Sequence, residues 1–164
     1  MQNANKTTFL LSLIISFALL TGCGFHLRGN ISLPDEISSL QVRGPMQLAD
    51  ELLILLESSE VVTTSDSPNA ILMIERETFD KQTLSVDSNT GKEREHALAY
   101  TVFYRVVAAD GKELLPKQTV NLLRDYVFDE EAVLATSREQ DVLHQEMRRE
   151  AANQILRRLV AWRP

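Results

Sequence analysis

Leu98-Ala99-Tyr100-Thr101-Val102-Phe103-Tyr104-Arg105-Val106 is the clearest strand in the chain, and its reading decides the fold. Side chains on a strand alternate between two faces. Leu98, Tyr100, Val102, Tyr104 and Val106 therefore share one face, and Ala99, Thr101, Phe103 and Arg105 the other. Asp110-Gly111, just beyond, is a strong hairpin signal because both central residues accept positive φ. After Pro116 another strand is expected from about Gln118 to Phe128. Upstream, Ile71 to Leu84 is strand-like, although Glu75-Arg76-Glu77 interrupts its alternation, and Asp87–Gly91 supplies a turn. The centre of the chain thus reads as a β-meander. Shorter β-prone pieces occur at Ile37–Val42 and Val61–Thr64.

Two helical patterns flank this meander. From Met46 to Glu57, Leu48, Leu52, Leu55 and Leu56 recur at helical spacing, and Pro45 sits where a first turn tolerates it. Near the end, Leu143, Met147, Ala151, Ile155 and Leu159 recur every fourth residue, and Ala152 and Leu156 widen the stripe. Asp129-Glu130-Glu131 is expected to open this helical region, and Ser137 with Gln140 fits a capping box. These elements predict an α+β two-layer sandwich, with two helices packed on one face of a mainly antiparallel four-stranded sheet. The uncovered face carries either Tyr100, Tyr104 and Tyr126 or their opposite neighbours; periodicity leaves both readings open.

The N-terminus carries a different message. A polar start with Lys6 precedes an apolar run from Phe9 to Leu20, then Leu20-Thr21-Gly22-Cys23. That order is a secretory signal. Its apolar core is too short for a helix across the roughly 30 Å hydrocarbon layer. The sole cysteine, directly after small residues, resembles the bacterial lipobox, in which the thiol is acylated and the chain is cut before it. The thiol suits this as the strongest common side-chain nucleophile near neutral pH. The resemblance implies an N-palmitoyl, S-diacylglycerol Cys23. Several chains are needed for stable anchoring, because one holds only marginally. Gly24, where aspartate often marks inner-membrane retention, points to the periplasmic face of the outer membrane. The expected organisation is a cleaved leader over 1–22, a lipidated tether over 23–36 and one domain over 37–164.

Composition narrows the chemistry. The chain has 17 Lys+Arg against 23 Asp+Glu, and Lys6 leaves with the leader, so the mature balance is 16 against 23, a net charge of about −7. That disfavours nucleic acid, which is bound by clustered cations. His26, His96 and His144 stand at no metal-ligand spacing, and the sequence has no phosphate-cradling glycine loop, Gly-x-Ser-x-Gly or His-Glu-x-x-His. Neither catalysis nor a cofactor or metal is expected.

Cys23-Gly24-Phe25-His26-Leu27-Arg28-Gly29 closely resembles the opening of the LptE family, lipopolysaccharide-assembly lipoproteins of Gram-negative outer membranes. The Asp110-Gly111 hairpin, the long last strand, and Ala135 through Glu146 with Glu139-Gln140-Asp141 look like that family too. The resemblance implies a non-catalytic sandwich held inside the large LptD β-barrel, helping it assemble, plugging it, and assisting delivery of lipopolysaccharide to the outer leaflet. A lipopolysaccharide contact needs cations for its phosphates beside exposed apolar groups. Lys92 and Arg94 by the Asp87–Gly91 turn, and Arg138, are candidates, weighed against plain solvated charge. Two alternatives stand: an accessory lipoprotein of another envelope transport or barrel-assembly machine, and a lipoprotein enzyme acting on the cell wall or its lipids.

Mass spectrometry of the mature protein should find a lipid-sized mass excess on a chain beginning at Cys23, and Cys23→Ala should abolish it. An unmodified wild-type chain retaining Met1 overturns the anchoring argument.

Overall fold

The computed structural model describes residues 33–59, 61–127 and 133–163, all within one compact unit, Ile31–Pro164. The expectations for the leader, Cys23 and Asp129-Glu130-Glu131 lie outside the described residues. After a short 3₁₀ turn (Asp35–Ile37) come β1 (Ser39–Arg43), α1 (Met46–Ser58), β2 (Val62–Thr63), β3 (Ala70–Val86), β4 (Glu93–Ala108), β5 (Glu113–Val127) and α2 (Val133–Ala161).

The α+β class and the two helices agree with expectation; the sheet does not. It has five strands in the order β2-β1-β3-β4-β5, with β1 parallel to both neighbours and β3, β4 and β5 antiparallel. The expected four-stranded, mainly antiparallel sheet is corrected to a five-stranded mixed one. β2 is two residues long and β1 five. Pieces this short carry almost no periodicity, so only pairing reveals where they dock. Their parallel pairing requires a crossover, and α1 lies between β1 and β2 in the chain.

α1 begins directly after Pro45, whose carbonyl accepts the Ala49 amide at 3.0 Å, so the missing proline N–H costs nothing. Gly44 is required by close approach: a Cβ there would lie 2.5 Å from the Ile74 Cβ and 2.9 Å from its carbonyl oxygen, at φ +152°. α2 is already under way at the expected capping box. Ser137 stands inside the helix, not at its cap, and the Gln140 side chain donates to the Tyr126 hydroxyl.

A β-bulge at Glu75 explains the broken alternation of β3. Ile74 pairs with Tyr104 and Arg76 with Phe103, so Glu75 is the extra residue that shifts the strand's phase. Ala70, Leu72 and Ile74 face the helices before it, and Glu77 and Phe79 after it. A second irregularity lies in β5 between Leu115 and Gln118, where Pro116 would interrupt any regular ladder.

One core joins the two layers. Leu48, Leu52 and Leu56 of α1 and Met147, Ala151, Ile155 and Leu159 of α2 meet Leu40, Leu72, Tyr100, Val102, Tyr104 and Val106 of the sheet. The tyrosine face is therefore the covered one. Ala99, Thr101, Phe103 and Arg105 occupy the other, half-buried face. Packing begins before residue 37, since Leu33 also touches this core.

Leu52 and Ile155 are fully buried. Truncating either to Ala should lower unfolding free energy by about 2–5 kcal/mol in a urea titration. Gly44→Ala, although exposed at the surface, should also shift the urea midpoint downward; an unchanged midpoint would show that the Ile74 contact yields freely.

Candidate functional site

The β3–β4 turn is built by one aspartate. Asp87 Oδ1 accepts the Asn89 and Thr90 amides, each at 2.9 Å, and the Thr90 hydroxyl at 3.1 Å. The Asp87 amide donates to the Lys92 carbonyl at 2.7 Å, and Gly91 closes the turn at φ +70°. The amide of Thr90, then that of Asn89, hold the Asp87 carboxyl below the usual range, with Arg94 a smaller cause. Arg94 approaches Asp87 only to 3.7 Å and is two-thirds exposed, so its guanidinium is loosely held. Lys92 and Arg138 are exposed.

Strand register places these three cations toward one end of the sheet. Val86 pairs with Glu93 beside the turn, and Glu95 pairs with Val127 at the end of β5. Gln140, two residues after Arg138, ties α2 to Tyr126 near the same place. The same end exposes Leu84, Val86, Val127 and Val142. Cations and uncovered apolar groups thus coincide here, a pairing that single surface charges do not produce. The sequence reading missed the apolar half. Leu84, Val86 and Val127 fit a strand pattern, and no periodicity says that the helical layer leaves them uncovered.

A second feature is a polar cleft of about 500 Å³ between the helices. It is lined by Gln47, Asp50 and Glu51 of α1 and by Asp141, His144, Gln145 and Arg148 of α2. Beneath it, Arg148 Nε donates to Glu77 Oε1 at 2.6 Å, and the Tyr100 hydroxyl donates to the same oxygen at 3.0 Å. Phe79 stacks on Tyr100 with centroids 4.2 Å apart and carries His144 at 4.0 Å and Arg148 at 4.9 Å. Burial, then Glu77, pushes the Tyr100 hydroxyl far up, so it remains a donor. Burial, then Arg148, lowers His144, against smaller opposing pulls from Asp141 and Glu77. Chemically the floor of the cleft is a closed ion pair: Arg148 balances the Glu77 charge and the Tyr100 hydroxyl donates to it, so this carboxylate is not a free base. Among the described residues, no group of three His, Cys, Asp or Glu side chains is placed to hold a metal.

On the uncovered sheet face, Glu75 bridges Arg105 at 3.0 Å and Lys117 at 3.1 Å, and Lys117 lies 4.6 Å over the Phe103 ring. One carboxylate there is thus shared by two cations.

Comparison with known proteins agrees with this architecture. The family model described as "LptE: Lipopolysaccharide-assembly" matches residues 35–159. The LPS-assembly lipoprotein LptE of Pectobacterium atrosepticum is 31% identical over 161 residues, covering 92% of this chain and 85% of that protein. That of Photorhabdus laumondii is 28% identical, with the same two coverages. Among solved structures, lipoprotein B from Nitrosomonas europaea superposes with a TM-score of 0.69 at 29% identity, over 84% of this chain and 91% of that one. Rare lipoprotein B from Shewanella oneidensis gives 0.65 at 29% identity, over 75% and 94%.

His144 generates a pH prediction. Its folded-state pKa lies below the unfolded value of 6.5, so the unfolded chain binds more protons and stability falls as pH drops below about 6.5. The lowered Asp87 carboxyl acts only at more acidic pH, since its stabilisation is lost below the ordinary carboxylate range. Urea midpoints at pH 7.5 and 5.5 should therefore differ in the wild type, and His144→Phe should reduce that difference. An unaltered difference would assign it to other groups.

Proposed function

This chain belongs to the LptE family of lipopolysaccharide-assembly lipoproteins, and from that membership we propose that it binds and plugs the LptD β-barrel, assisting its assembly and the passage of lipopolysaccharide to the outer leaflet. The role of the family is assembly, not catalysis. The match over 35–159 carries the proposal, because it spans α1, all five strands and all but the last two residues of α2.

The geometry supports a plug in two ways. A barrel lumen is polar and water-lined, so a protein lodged in it needs a surface that is polar yet free of strong unpaired fields. The uncovered sheet face is polar, and its Glu75 carboxylate is shared by Arg105 and Lys117, which ties those charges together. The β3–β4 end adds a surface suited to a phosphorylated, acylated ligand: Lys92, Arg94 and Arg138 for phosphate, beside Leu84, Val86 and Val127 for acyl chains. Anchoring is assigned to a lipidated Cys23 at the head of the 23–36 tether, holding the domain on the periplasmic face of the outer membrane. No helix among the described residues is long and apolar enough to cross a membrane, which accords with a lipid anchor.

Depletion of the protein should leave the barrel misassembled and lipopolysaccharide short of the cell surface, and the tagged protein should co-purify with a large β-barrel. Normal barrel assembly and normal surface lipopolysaccharide in a complete deletion would sink the plug reading in favour of an accessory subunit of another envelope machine. In purified protein, Arg94→Glu with Arg138→Glu should weaken lipopolysaccharide binding severalfold without moving the melting temperature. Unchanged affinity removes these two residues from the contact.

A further inference from the structure

The sheet ends in two unequal edges. β2 offers only two residues, too few to template another strand, whereas β5 is 15 residues long. In an antiparallel strand every second residue turns its N–H and C=O toward the neighbour, and the others turn away. On β5 the outward set is identified by who occupies it. Arg158 donates to the Thr119 carbonyl at 2.8 Å and Arg124 to the Leu123 carbonyl at 3.2 Å. Thr119, Asn121, Leu123, Asp125 and Val127 thus form the outer row. Arg124 is itself held by an ion pair with Glu150 of α2, the helix that also supplies Arg158. Farther upstream, Gln118 reaches the Pro116 and Lys117 carbonyls at 3.1 and 3.4 Å, and Pro116 contributes no N–H.

We propose that Arg158 and Arg124 are guards, holding the β5 edge shut against antiparallel pairing with a second copy of the same chain. The outer row itself identifies that occupant. A two-fold axis at Leu123 uses only the regular stretch 119–127, clear of the register break between Leu115 and Gln118. It sets Leu123 opposite its own copy, Asn121 opposite Asp125 (amide against carboxylate), and Thr119 opposite Val127. Leu123 and Val127 are 57% and 65% exposed, so the pairing would cover the two large apolar side chains that the outer row leaves in water. Each arginine occupies a carbonyl that an incoming strand needs. The β5 edge thus carries a self-complementary row for an edge-to-edge dimer, and two side chains keep it closed. The inference does not depend on the barrel assignment, since it concerns the lipoprotein by itself.

The test uses the full-length lipoprotein in detergent with Leu123→Cys as a reporter at the expected two-fold axis and a short thiol–thiol cross-linker. The same protein without the reporter measures any contribution from Cys23. With both arginines present, the reporter should give only background dimer. With Arg158→Met and Arg124→Met, which keep the apolar stems, dimer yield should rise severalfold, and adding Asn121→Pro, which removes an outward N–H, should return it to background. Folded guard-less protein that stays at background overturns the proposal, as does equal cross-linking with the guards in place. Where the double variant does not fold, each single variant carries the same reading: the yield rises, or the proposal fails.

Discussion

The extra residue at Glu75 is the constraint on which the helix–sheet arrangement depends. Without a bulge, β3 would continue the phase of Leu72 and Ile74 and point Arg76 and Thr78 at the helices, while Glu77 and Phe79 faced outward. With it, a carboxylate enters the interlayer space, where an unpaired charge is prohibitively expensive. Arg148 and Tyr100 meet that charge, and Phe79 is brought where it stacks on Tyr100 and carries Arg148 and His144. β3, β4 and α2 are thereby locked in register by polar geometry as well as by apolar area. A buried ion pair adds little net stability over a packed apolar alternative, but losing one partner is strongly destabilising. Its effect here is to specify which turn of α2 lies over which rung of the sheet.

The bulge residue itself shapes the surface. Glu75, on the uncovered face, is shared by Arg105 and Lys117, and Lys117 lies over Phe103. That face is polar, which is what the proposed plug role asks of it. The meander beyond the bulge runs on past the helical layer, which leaves Leu84 and Val86 uncovered close to Lys92 and Arg94, while Val127, paired with Glu95, lies on the face opposite the helices. The proposed ligand surface therefore draws both on strands longer than the helices and on the face that no helix covers.

Local regularities were legible in the sequence. The alternation of Leu98 through Val106 marked β4, the spacing of Leu48, Leu52 and Leu56 and of Met147, Ala151 and Ile155 marked both helices, and the helical stripe residues are buried as expected. Asp87 and Gly91 marked the turn that carries two of the candidate cations. The family, too, was readable in the residues after Cys23, because a run of specific types at fixed positions carries more information than composition.

What the sequence determined by itself were properties set within one element: strand or helix, the apolar stripe and the turn residues. Only the tertiary structure decided that β1 and β2 add a parallel pair to the sheet, that the tyrosine face is the covered one, and that Glu77 turns inward to Arg148, 71 residues away. Each of these is a choice between equally regular local patterns. A period of two cannot say which face is inside, and a two-residue strand has no period at all. An interrupting Glu-Arg-Glu is a bulge only once its neighbour's register is fixed. Such choices are settled by long-range pairing and by the need to neutralise buried charge, and both act between residues that the sequence keeps far apart.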